Sequence, residues 1–81
     1  MHLMLKKGDK GEDVKKIQQW LNTHGYKAGD EDGVFGEKTR EAVIQFQSAI
    51  KIKTDGMAGS QTQIAMERTD SNKDVNFQKI R

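Results

Sequence analysis

No cysteine occurs in the 81 residues, which excludes a disulfide framework and a thiolate metal site and leaves the redox compartment open. A chain this short makes one domain and buries only about 60% of the surface its unfolded form exposes. Packing and turn geometry must therefore hold it. Long apolar runs are missing too. Met1 to Lys7 gives a few apolar residues and then Lys6-Lys7, not the roughly 7–15-residue apolar stretch of a secretory signal. Nothing approaches the roughly 20 apolar residues that cross a bilayer. The expectation is a chain without a classical export signal and without a membrane span. An excess of one charge is also absent: Lys and Arg number 14 against 12 Asp and Glu, a net charge of +2. That is far from the basic stripe of a nucleic-acid binder.

Catalytic sets are equally scarce. With only His2 and His24, and no cysteine, a zinc site of three protein ligands lacks donors. Carboxylates cluster at Asp30, Glu31 and Asp32 and pair at Glu37 and Glu41, but glycosidase chemistry needs two of them across a cleft. A calcium loop laid on Asp32-Gly33 puts Ala28 and Thr39 at its first and last ligand positions, where carboxylates are required. None of the Gly-x-x-Gly turns continues into the Gly-Lys-Ser/Thr of a phosphate loop. The expectation is a chain with no metal, no cofactor and no catalysis of its own.

What is present is a repeat. Gly8-x-x-Gly11-x-x-Val14, Gly33-x-x-Gly36-x-x-Thr39 and Gly56-x-x-Gly59-x-x-Thr62 recur at nearly regular intervals. The last two copies agree further, Asp32-Gly33-x-x-Gly36-x-x-Thr39-x-x-Ala42 matching Asp55-Gly56-x-x-Gly59-x-x-Thr62-x-x-Ala65. Each copy reads as a turn that delivers the chain into a helix: Asp-Gly tolerates positive φ, and the second glycine takes the N-cap. Glu12 and Glu37 follow, facing the positive end of the helix dipole; in the third copy Ser60 and Gln63 have capping-box spacing.

Apolar spacing behind these starts is helical: Val14, Ile17 and Leu21, then Thr39, Ala42, Val43, Phe46 and Ile50. His24-Gly25-Tyr26 suits a helix end with Gly25 left-handed and Tyr26 folding back. Helices are predicted near 12–24, 37–49 and 60–67. The fold class is all-α, a small three-helix bundle with two Asp-Gly-x-x-Gly turn-helix half-repeats. From Glu67 the pattern stops, and Val75, Phe77 and Ile80 fit neither a helix nor a strand. The division is a domain at 1–66 and a polar linker or disordered tail at 67–81, read either as a frayed end or as a tether to a second domain.

Leu5-x-x-Gly8-x-x-Gly11-x-x-Val14-x-x-Ile17-Gln18-x-x-Leu21, Gly25-Tyr26, and Asp32-Gly33-x-Phe35-Gly36-x-x-Thr39-x-x-Ala42-Val43-x-x-Phe46-Gln47 together resemble the peptidoglycan-binding domain family of bacterial and phage cell-wall hydrolases. The resemblance runs from about residue 5 to 66 and is completed by the half-repeat at Asp55. It implies a three-helix fold that holds cell-wall glycan or its peptide stem in a shallow groove, as a monomer, while a separate domain of an endolysin or autolysin hydrolyses the wall. Neither nucleic acid nor membrane is implied. A phage enzyme made in the cytoplasm and released by another route would suit the lack of a signal.

Turns and core account for most of the matching positions. The candidate ligand contacts are Trp20, Tyr26, Asp32, Phe35, Lys38 and Gln47. Tyr26 and Phe35 flank the acidic loop, where an aromatic face suits sugar rings or peptide methyls, or else plugs the end of the bundle. Gln18 and Gln47 each sit beside a core stripe, placed either to bridge the turn backbone or to bind a stem-peptide amide. Asp32 suits an Asx-type turn with an oxygen to spare. Trp20 lies off the centre of its stripe and is expected to be partly exposed, with His24 one turn later. Two other classes compete. The matrix metalloproteinase propeptides look similar in fold, but they block zinc with a cysteine that is missing here. A DNA-binding reading through Lys15, Lys16, Lys38 and Arg40 meets the interspersed Glu37 and Glu41.

Overall fold

The computed structural model describes the backbone of residues 3–80 and the side chains of residues 3–70. Helices α1 (Glu12–Thr23), α2 (Glu37–Ile50) and α3 (Ser60–Ile80) follow one another. No strand occurs among the described residues; two isolated bridges, Leu5 to Ala58 and Lys10 to Val34, tie the N-terminal segment to the turns before α3 and α2.

All three helices begin where the glycine turns predict. Gly11 and Gly36 are the N-caps of α1 and α2, and neither cap carries a side-chain hydrogen bond. The expected capping box on α3 does not form. Ser60 is already inside the helix, and the Gln63 amide donates instead to the Leu3 and Ala58 carbonyls. Gln63 thereby fastens the N-terminal segment across the start of α3.

The end of α1 follows the sequence closely. Gly25 has φ 88°, Tyr26 N–H donates to Leu21 O at 2.8 Å and Gly25 N–H to Asn22 O at 3.2 Å, the pair of bonds that closes a Schellman motif. Helix α2 ends with the same two bonds, Ile52 N–H to Gln47 O and Lys51 N–H to Ser48 O, although Lys51 takes the left-handed place at φ 63°.

Helix α3 corrects the expected end near residue 67, since it continues to Ile80. The apolar stripe stops at Met66, but Ser60 to Arg81 contains no glycine or proline, and an established helix propagates without a stripe until something breaks it. Thr69 Oγ1 bonds back to the Ala65 carbonyl. The side chains of Val75, Phe77 and Ile80 lie outside the described residues, as does His2.

The core gathers Val14, Ile17 and Leu21 of α1, Ala42, Val43 and Phe46 of α2, and Met66 of α3, closed by Leu5, Ala28, Phe35 and Ala58 from the segments between. Burial of each large apolar side chain contributes about 1.5–3 kcal/mol. Trp20 and Tyr26 meet Phe46 edge-on from two sides, with ring centroids 4.9 and 5.6 Å away.

Candidate functional site

Two buried glutamines organise the polar part of the molecule. Gln18 Nε2 donates to Asp32 Oδ1, Val34 O and Thr39 Oγ1 at 3.3, 2.9 and 3.0 Å, while its Oε1 accepts from Gly33 N–H at 2.8 Å. Gln47 Nε2 donates to Asp55 Oδ1, Met57 O and Thr62 Oγ1 at 3.0, 2.9 and 2.9 Å, and its Oε1 accepts from Gly56 N–H at 3.0 Å. A helix residue thus clamps the turn that starts the next helix, twice over. The bridging role, one of two open to both glutamines, is the one the geometry assigns, and Gln47 keeps only 1% of its surface exposed.

The aspartates of these turns are held ionised. Val34 N–H donates to Asp32 Oδ1 at 2.9 Å; that bond, then the Gln18 amide, lowers the Asp32 pKa below its ordinary value. Met57 N–H and then the Gln47 amide do the same for Asp55. Glu37, at the start of α2, is lowered chiefly by its hydrogen bond from Lys7.

Against the first clamp lies an open groove of about 330 Å³, lined by Ala28, Asp30, Asp32, Val34, Lys38 and Thr39 among others. It is bounded by the acidic loop on one side and the first turn of α2 on the other. Asn22 shapes the loop from α1: its Oδ1 accepts from Ala28 N–H at 2.7 Å and its Nδ2 donates to Gly29 O at 2.9 Å. The Lys38 stem packs over Gly29, where an added Cβ would meet Lys38 Cδ at 3.0 Å. The groove offers carboxylates, one ammonium and a small apolar floor at Ala28. That mixture suits a peptide or sugar with both donors and acceptors.

The sequence-derived candidates do not converge on one place. Asp32 and Lys38 line this groove. Phe35 is 1% exposed and belongs to the core, so it and Gln47, equally enclosed, present no surface to a ligand. Tyr26 is half-buried against Phe46. Trp20, half-buried as expected, lines a separate recess with Lys16, Gln19, Thr23, His24 and Asp70. There the indole stacks on the His24 ring with centroids 3.8 Å apart, and its Nε1–H donates to both Asp70 oxygens at 3.3 and 3.2 Å. Asp70 and Asn22 are the residues that sequence reasoning missed. Asp70 sits in a stretch without periodicity, and an asparagine in the last turn of a helix carries no signal of the loop it holds.

Among the described residues no group of three or more His, Cys, Asp or Glu side chains is placed to hold a metal ion, and no helix is long and apolar enough to cross a membrane.

Comparison with known proteins gives concordant results. The family described as "Putative peptidoglycan binding domain" matches residues 10–66. The chain is 39% identical over 59 residues to the spore cortex-lytic enzyme of Bacillus cereus, an alignment covering 73% of this chain and 23% of that one. In structure it is similar to the SleB N-terminal domain, with a TM-score of 0.81 at 33% identity over 85% of this chain and 94% of that one. A Burkholderia AP3 phage endolysin matches with a TM-score of 0.75 at 36% identity, covering 79% of this chain and 24% of the endolysin. The chain thus spans about a quarter of the cortex-lytic enzyme and of the endolysin.

Proposed function

Since the chain belongs to the peptidoglycan-binding domain family, we propose that it binds bacterial cell-wall peptidoglycan without hydrolysing it, as a monomer, and concentrates an attached hydrolase of the endolysin or autolysin kind on the wall. The single observation that carries this reading is the family match over residues 10–66, which takes in both glutamine clamps and the groove beside the first. Attachment to a catalytic domain raises the local concentration of that domain on its polymer and multiplies weak binding. The chain then has no need of a deep pocket, and the groove is open.

The groove beside Asp32 and Lys38 is the contact region we favour, with Asp32 accepting from ligand N–H groups through its outer oxygen and Lys38 meeting ligand carboxylates or carbonyls. Trp20 and Tyr26 remain proposed contacts at the margin of the Phe46 cluster. Phe35 and Gln47 are left out, because their side chains are enclosed.

Co-sedimentation with purified sacculi tests the reading. The chain is expected to pellet with the wall while releasing no soluble muropeptides. Lys38→Ala is expected to weaken binding by about 1 kcal/mol, the scale of an interface contact of modest size, at an unchanged melting temperature. A chain that stays in the supernatant with sacculi of several wall chemotypes would overturn wall binding, and muropeptide release by clean protein would overturn the non-catalytic assignment.

A further inference from the structure

The recess at the end of α1 holds a carboxylate already, and it is the chain's own. Asp70 comes from the part of α3 beyond the apolar stripe and reaches back across the bundle. Trp20 Nε1–H donates to its two oxygens at 3.3 and 3.2 Å, and His24 Nε2 stands 3.5 Å from Oδ1. The two rings are fixed in advance. Trp20 is braced edge-on against buried Phe46, and the His24 ring lies flat on the indole at an interplanar angle of 19°. His24 Nδ1 is 2.8 Å from the Trp20 carbonyl oxygen; that oxygen only accepts, so Nδ1 carries a proton, and Nε2 faces the carboxylate as a donor when it carries one as well. Lys16 and Thr23 line the same recess, whose volume of about 450 Å³ far exceeds one carboxylate. Asp70 itself is 54% exposed. Its place is open to exchange.

We propose that the Trp20–His24 face of α1 is a carboxylate-binding site that Asp70 occupies in the unliganded chain, so that α3 competes for it with the carboxylates of an incoming peptide. The Asp70 carboxylate shows the geometry a ligand would take, with the indole N–H as donor, the imidazole Nε2 as a second donor when the ring is protonated, and Lys16 lining the same recess. A neutral sugar has no group that makes the same pairing. Release of Asp70 frees the site for the ligand. The biological ligand class, a free carboxylate on a wall peptide, rests on the proposed wall binding; the site itself does not.

Trp20 is the single tryptophan, so its emission reads the site directly. Asp70→Ala is expected to change that emission, and acetate added at constant ionic strength is expected to reverse the change saturably while acetamide does not. The parent chain should need about threefold more acetate than the variant, because Asp70 occupies the site in part of the population and lowers the apparent affinity by the fraction left open. Asp70→Ala should also bind sacculi about threefold more tightly, the gain from removing a competing occupant of the binding-competent state. Asp70→Asn, which keeps the side-chain size, is the check that the effect follows charge and not helix loss. An unchanged emission in both variants, or equal responses to acetate and acetamide, would overturn the site. Saturable acetate binding with sacculus binding equal in parent and Asp70→Ala would overturn the competition. If acetate binds as expected but neither parent nor variant sediments with sacculi, the carboxylate site stands and wall binding falls.

Discussion

Gln18 of α1 and Gln47 of α2 make the same set of hydrogen bonds to successive turns, each donating to an aspartate, a carbonyl and a threonine and each accepting from the glycine after that aspartate. Both amides are buried and no buried side-chain polar atom among the described residues lacks a partner. The turns are thus held from the preceding helix and not only by their own backbone preferences.

Replacing either glutamine by leucine is therefore expected to destabilise the fold in spite of the added apolar surface. Gln18→Leu strands the buried Gly33 N–H, and Gln47→Leu strands that of Gly56; each unsatisfied group costs about 1–3 kcal/mol. Urea denaturation checks this, and a loss below about 0.5 kcal/mol for both variants would show that the clamps do not hold the turns.

Glycine substitutions separate two turns that look alike in sequence. Gly33 and Gly56 have φ 77° and 75°, where a Cβ costs about 1–2 kcal/mol. A Cβ on Gly33 would also stand 3.0 Å from the Gly11 carbonyl oxygen, whereas one on Gly56 meets the flexible Arg40 side chain. Gly33→Ala is expected to be the more costly change, with a Tm drop larger by several degrees, since about 1 kcal/mol shifts a domain of this size by about 4–8 °C. Equal melting temperatures, or the reverse order, would contradict the close approach of the two turns.

Acid stability should follow the turn aspartates. The folded pKa values of Asp32 and Asp55 are lowered from 3.8, so the unfolded chain takes up protons first as the pH falls. Their contribution is complete above pH 3.8 and is lost as the pH drops from there through the lowered folded values. The double variant Asp32→Asn, Asp55→Asn keeps an acceptor at each turn but nothing to titrate. Its unfolding free energy between pH 5 and pH 2 should decline less steeply than the parent's; parallel curves would show that other carboxylates govern the acid limb.

Much of the fold was legible in the chain itself. The glycine pairs marked the starts of all three helices, the His24-Gly25-Tyr26 run marked the end of the first, and the apolar stripes named Val14, Ile17, Leu21, Val43 and Phe46 as core. Of the six candidate site residues, Asp32 and Lys38 share a groove, while Phe35 and Gln47 proved internal. Position beside a loop says nothing about which way an aromatic ring turns once the helices close over it.

The sequence by itself determined what neighbours within a few residues decide: where a left-handed glycine is needed, which face of a helix is apolar, and, through the spacing of those features, the family. Tertiary structure decided the pairings of distant residues, Gln18 with Thr39, Gln47 with Thr62, and Trp20 with Asp70. A helix start costs or gains its free energy locally, so its signal stays in a short window of sequence. A buried amide or a shared carboxylate gains its free energy only from groups that packing brings within about 3 Å, and no local pattern records which groups those will be.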